Sequence, residues 1–175
     1  MSSIILPWDE LVEREDVLIL DTETTGRGQY AEIIEIAMID TTGNERYRSL
    51  CKPERPIPIT AMRVHKITDR MVADAKTWVD IHETVEKLFE KADYVLAWNA
   101  DFDQRMLRKT ANRYGLQWKT KYKLHDLFRE YRELRSDRLG HSLQEACGHE
   151  GVPRDESKAH RAQPDCYSVL EGGRM

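Results

Sequence analysis

What most constrains the fold of this chain is the run Val17-Leu18-Ile19-Leu20, an apolar stretch of strand character that delivers two carboxylates, Asp21 and Glu23, ahead of Thr24-Thr25-Gly26. Side chains at i and i+2 of a strand project to one face, so both acids point the same way. Carboxylates held that close each make the other harder to ionise, unless one keeps a proton or a cation lies between them. Carboxylate oxygens beside threonine and glycine suit a hard cation such as Mg2+ or Mn2+ rather than a soft metal. The segment reads as half of a metal site at a strand end.

A site of that kind needs a core behind it. At 175 residues, with 40% hydrophobic and 33% charged residues, the chain has the balance of one globular domain. A net charge of −4 and a pI near 5.9 argue against a uniformly basic nucleic-acid binder, while leaving room for a local basic path. Cys51, Cys147 and Cys166 show no paired spacing, which predicts a reducing, cytoplasmic setting. Residues 1–16 carry acids and a proline in place of a long apolar run, so they read as a lead-in without signal peptide or membrane span. His141, Cys147 and His149 lack a fourth ligand at zinc spacing and are read as structural.

The pattern predicts strands at Val17–Asp21, Glu32–Thr42 and Glu45–Pro53, forming an antiparallel meander with a turn at Thr42-Gly43-Asn44. Lys52–Ile59 is proline-rich and extended. Helical spacing covers Trp78–Lys91, Phe102–Tyr114, Leu127–Leu134, Ser142–Cys147 and Ala162–Leu170, with a further short helix around Trp8–Val12. Strands fall at Tyr94–Trp98 and Tyr122–His125. A meander followed by alternating helix and strand gives an α/β fold, a mixed sheet flanked by helices.

Two further sites supply polar groups. In Trp98-Asn99-Ala100-Asp101-Phe102-Asp103 a strand stops and a helix begins. Asp103 falls in the first helical turn, where the helix dipole favours an ionised carboxylate, whereas Asp101 is placed to cap the helix; residue type leaves open which of them is functional. In His160-Arg161-Ala162-Gln163-Pro164-Asp165 a histidine and an acid enter a helix whose first turn Pro164 marks. A neutral histidine with a pKa near ~6.5 can take a proton from a water molecule.

In that order, Asp21-Thr22-Glu23-Thr24-Thr25-Gly26, Asn99-Ala100-Asp101-Phe102-Asp103 and His160 through Asp165 resemble the three exonuclease motifs of the DnaQ-like (DEDDh) proofreading exonucleases. Pro58 through Asp69 and Leu139 through Cys147 resemble the family's connecting segments, so the likeness runs from about Val17 to Leu170. It implies one domain over residues 17–175, with an RNase H-like five-stranded sheet. It implies two divalent cations, Mg2+ or Mn2+, held by Asp21, Glu23, Asp103 and Asp165, with His160 as general base; the family's pattern selects Asp103 over Asp101. Thr22, Thr24, His65, Asn99, Phe102 and Arg105 are the expected substrate contacts. The implied activity is 3′–5′ hydrolysis of phosphodiester bonds at the end of single-stranded or frayed DNA, releasing nucleoside 5′-monophosphates. A polymerase or another nucleic-acid-processing protein is the implied partner, and no membrane.

The chain departs from the family where an apolar wedge usually follows motif one, since Arg27 stands there, and where motif three usually ends in Asp-Ala, since Cys166 follows Asp165. Gln104 to Leu124 carries seven lysines and arginines and no acid, with Tyr114, Trp118 and Tyr122 interleaved, a pattern suited to a phosphate path or to a solvated face. Glu35, on the second strand, reads either as a group supporting the site or as a buried structural acid. Rival readings are an RNA-directed exonuclease of the same class, a phosphatase using Asp21 as nucleophile, and a non-catalytic nucleic-acid-binding module. The phosphatase leaves His160 and Asp165 without a role, and the binding module predicts the loss of a ligand where all are present.

Overall fold

The computed structural model describes residues 10–11, 13–134, 142–153 and 161–173. Strands β1 (Val17–Thr24), β2 (Ile33–Ile39) and β3 (Glu45–Leu50) form the expected meander. Helices α1 (Ile59–His65), α2 (Asp69–Val72) and α3 (Trp78–Glu90) follow, then β4 (Tyr94–Ala97), α4 (Ala100–Arg113), β5 (Lys123–Asp126), α5 (Leu127–Leu134), α6 (Leu143–Glu150) and α7 (Ala162–Gly173). The sheet has the order β3-β2-β1-β4-β5, with β4 and β5 parallel to β1, which is the mixed five-stranded sheet expected. The predicted helix at Trp8–Val12 lies mostly outside the described residues. No helix among the described residues is long and apolar enough to cross a membrane.

The two faces of β1 divide the core. Leu18 and Leu20 join Ile36 and Met38 on one face, packed with Val85 and Phe89 of α3 and Met106 and Leu107 of α4. Val17 and Ile19 join Ala37 and Ile39 on the other, against Ala162 and Cys166 of α7. β2 is buried over its whole length, as a strand covered on both faces must be. Cys166 stands where a small residue is needed: it is fully buried, and its Sγ lies 3.6 and 3.5 Å from the carbonyls of Ile19 and Ala37.

Two sequence expectations give way here. The extended reading of the proline-rich stretch holds only up to Pro58, after which α1 and α2 form, too short for a periodic signal. Trp118 and Tyr122, for which stacking along a phosphate path was one of two readings, instead pack edge-on or tilted against Phe89 at 4.9 and 5.0 Å. Tyr114 joins the same core and donates its hydroxyl to Glu32. Burying large rings outweighs leaving them to solvent, so the aromatic half of that pattern belongs to the interior.

Candidate active site

β1 runs three residues past the predicted end, so Asp21 and Glu23 lie within the strand, on the face that α7 covers. Directly across the β1–β2 pair, Glu23 faces Glu35, which places a third carboxylate on that face. The register slips after Glu23, where β2 skips Ile34. Beyond it, Thr24 donates its hydroxyl to the carbonyl of Gly26, whose φ of +147° only glycine adopts readily, and the strand turns away.

α7 brings the fourth acid. Arg161 donates to both oxygens of Glu35 at 2.8 and 2.7 Å, and the N–H of Ala162 donates to the same carboxylate at 3.1 Å. Arg48 from β3 adds an ion pair at 3.2 Å. Glu35 is thus the anchor on which the first turn of α7 is set, and Asp165 lies in that turn, its N–H donating to the Arg161 carbonyl at 3.1 Å. Asp21, Glu23 and Asp165 thereby offer oxygens that all lie within 4.8 Å of one another. Of the two readings left open for Glu35, the supporting one fits: it touches the segment that carries Asp165.

Asp103 arrives from the opposite face. Asn99, in the left-handed region at φ 62°, turns the chain sharply from β4 into α4. That places Asp103 in the first turn, where the Thr22 hydroxyl donates to it at 2.6 Å. Asp103 stands outside the tight triple but lines the same cavity of about 440 Å3. Asp101 is exposed and lies 3.7 Å from Arg129, so the two acids of this motif have separate roles.

Thr22, Thr24, His65, Asn99 and Phe102 also line the cavity, together with Trp98, Phe128, Ala61, Val64 and Arg27, which were not among the expected contacts. Arg105 does not line it; its guanidinium sits 5.5 Å from the centre of the Phe102 ring. The Ile67 N–H donates to His65 Nδ1, so the neutral ring carries its proton on Nε2. His160 lies outside the described residues.

The electrostatics are those of a cage that wants positive charge. Burial first, then Asp165 and Glu23, push Asp21 well above the ordinary carboxylate range. Glu23 is pushed up to about 9 by burial, then by Asp165, Glu35 and Asp103, with Arg161 pulling the other way. Asp103 is pushed up to about 7 because burial outweighs the Thr22 hydrogen bond. Glu35 is the exception: burial would raise it, but Arg161, the Ala162 N–H and Arg48 hold it below its usual value. An all-oxygen donor set with this much mutual repulsion fits a hard divalent cation.

The sequence matches the RNase_T exonuclease family over residues 18–171. It is 43% identical over 167 residues to the uncharacterized exonuclease CP81 of Escherichia phage 186, a match covering 89% of this chain and 85% of that one. It is 40% identical over 90 residues to exodeoxyribonuclease 10 of Escherichia coli K12, covering 51% of this chain and 39% of the relative. Among solved structures, exonuclease X in complex with 5′-overhanging duplex DNA superposes with a TM-score of 0.67 at 29% identity, over 89% of this chain and 87% of that one.

Proposed function

The chain belongs to the RNase_T exonuclease family and is therefore a hydrolase; from that premise we propose that it removes nucleotides from the 3′ end of single-stranded or frayed DNA as nucleoside 5′-monophosphates. The observation that carries the reading is the triple of Asp21, Glu23 and Asp165 oxygens within 4.8 Å, with Asp103 on the same cavity. DNA is favoured over RNA because one relative is named an exodeoxyribonuclease and a solved neighbour holds duplex DNA with an overhang.

Asp21, Glu23, Asp103 and Asp165 would hold two divalent cations, Mg2+ or Mn2+. The chemistry such ions supply when bound is activation of the attacking water, charge neutralisation on the phosphoryl oxygens and stabilisation of the departing 3′-oxygen. The remaining work belongs to the protein. Trp98, Phe102 and Phe128 give the cavity aromatic walls against which a terminal base stacks. The Thr22 hydroxyl fixes the rotamer of Asp103. His65 adds a ring to the wall of the cavity that receives the terminal nucleotide. His160, which directly precedes Arg161 in sequence, takes the proton of the attacking water as general base.

The test is a 5′-labelled single-stranded DNA incubated with Mg2+ or Mn2+, beside an RNA oligomer of the same sequence. A ladder shortening from the 3′ end that disappears in Asp21→Ala and His160→Ala supports the reading. Products cut from the 5′ end, internal cuts, or equal loss of the RNA would each replace it.

A further inference from the structure

We propose that the strand being degraded leaves the cavity along a basic strip formed by the outer face of α4 and the loop after β1, with Arg27, Arg105, Arg108 and Arg55 holding its backbone phosphates upstream of the scissile bond. This rests on the exonuclease reading and adds to it the path of the substrate.

Two cations tie the strip together. Lys109 donates from its ammonium group to the carbonyl of Gly28, fastening the loop to α4. Arg113 lies 3.2 Å from Glu54 and 4.0 Å from Glu32, so its charge is already answered. The ring of Tyr30 bridges the two segments: Arg55 stacks 4.3 Å and Arg113 5.8 Å from its centre. Loop, helix and the Glu54–Arg55 segment are one surface, and 56% of Tyr30 is open on it.

What remains is charge without an answer. Arg27, Arg55, Arg105 and Arg108 are all exposed, and among the described residues none has a carboxylate partner. Glu54, next to Arg55 in the sequence, is paired with Arg113, and Asp101, four residues before Arg105, lies 3.7 Å from Arg129. Lys109 is held below its ordinary value by burial and by its neighbours Arg113 and Arg105, as expected where like charges crowd. A protein of net charge −4 gains nothing in stability from gathering unpaired guanidinium groups; a polyanion does.

The geometry gives the strip a direction. Arg27 lines the cavity mouth, and Arg105 stands over Phe102, which lines it too. Arg108 lies one helical turn farther, and Arg55 is reached through Tyr30 beside Arg113. From Arg105 to Arg113 the helix rises ~12 Å at ~1.5 Å per residue, long enough to follow the strand beyond its terminal nucleotide.

The experiment measures binding of a dinucleotide and of a twelve-residue oligothymidylate by fluorescence anisotropy in EDTA, across a salt series. The wild-type protein shows a steeper salt dependence for the longer strand. In Arg55→Gln/Arg108→Gln the slope for the twelve-mer flattens by about 1.4, at ~0.7 for each lost single-strand contact. Its dissociation constant at low salt rises by roughly tenfold, while dinucleotide binding holds. Arg55→Lys/Arg108→Lys restores the slope, which a folding defect would not. An unchanged slope, an equal loss with the dinucleotide, or an effect appearing only with a complementary strand would overturn the proposal. Shortening of the same twelve-mer by wild-type protein in Mn2+ is followed in parallel: its failure sinks the exonuclease reading, whereas shortening with an unchanged slope sinks the strip alone.

Discussion

At the scale of single residues, the site depends on groups that never touch a reacting atom. Thr22 is the first. Its hydroxyl is the side-chain partner that holds Asp103, and Thr22→Val keeps the volume while removing the bond. Such supporting bonds set the affinity of the groups they orient by 10- to 100-fold; Thr22→Val is expected to weaken Mn2+ binding by about tenfold in a calorimetric titration, with little change in melting temperature. Glu35 is the second, and its loss acts differently. Glu35→Gln leaves Arg161 without its charge partner in a largely enclosed position, a break that costs about 3–5 kcal/mol. Urea denaturation reads the cost directly, and Arg48→Ala, which removes only the outer partner, is expected to cost about 1 kcal/mol. The sign of the pH effect follows from Glu35 lying below its ordinary value: its contribution is present at neutral pH and is lost as the pH falls through the folded value. A Glu35→Gln protein as stable as wild type would remove the anchor from the account.

At the scale of elements, the physical reasons for success and failure of the sequence reading are local. α3 begins and α5 begins and ends where its pattern says, because Thr77 and Asp80 form a capping box for the first and a clear apolar period marks the second. β1 overruns its predicted end because threonine alternation looks like a turn in sequence yet is good strand material once β2 pairs with it. α1 and α2 are too short to leave a periodic trace. The aromatics after α4 are invisible as core because the chain there has no regular spacing, only two rings, Trp118 and Tyr122, that fold back on Phe89. The acids of the site were legible as residue types at strand and helix ends; the extent of their burial, the first cause of the rise in Asp21, Glu23 and Asp103, was not. The contact of α7 with the sheet offers a test at this scale. Cys166 fills a gap bounded by two strand carbonyls, so Cys166→Ala should lose no more than ~1 kcal/mol and keep cation binding. Cys166→Leu overpacks the gap at a cost of about 1–3 kcal/mol, and by lifting α7 it should weaken Mn2+ binding along with the melting temperature.

At the scale of the whole molecule, the acids come from positions 21, 23, 103 and 165, carried by three elements that meet only when the sheet is complete. Folding therefore concentrates negative charge, and cation binding and stability are linked. Asp21, Glu23 and Asp103 all release their protons less readily in the folded chain than in the unfolded one. The folded state then holds protons that the unfolded state gives up, so without metal the protein is expected to lose stability as the pH rises from the ordinary carboxylate range through about 7 and on to about 9. A divalent cation replaces those protons, binds more tightly as they leave, and reverses the trend. At a hundredfold excess over its dissociation constant a single site adds about 2.7 kcal/mol, which for a domain of this size corresponds to a rise of roughly 5–10 °C in melting temperature. Melting curves from pH 5 to 9, in EDTA and in Mn2+, should therefore diverge as the pH increases, and in Asp165→Asn the gap should shrink at every pH. Parallel curves, or a gap that closes at high pH, would mean that the carboxylates are not where the cation binds.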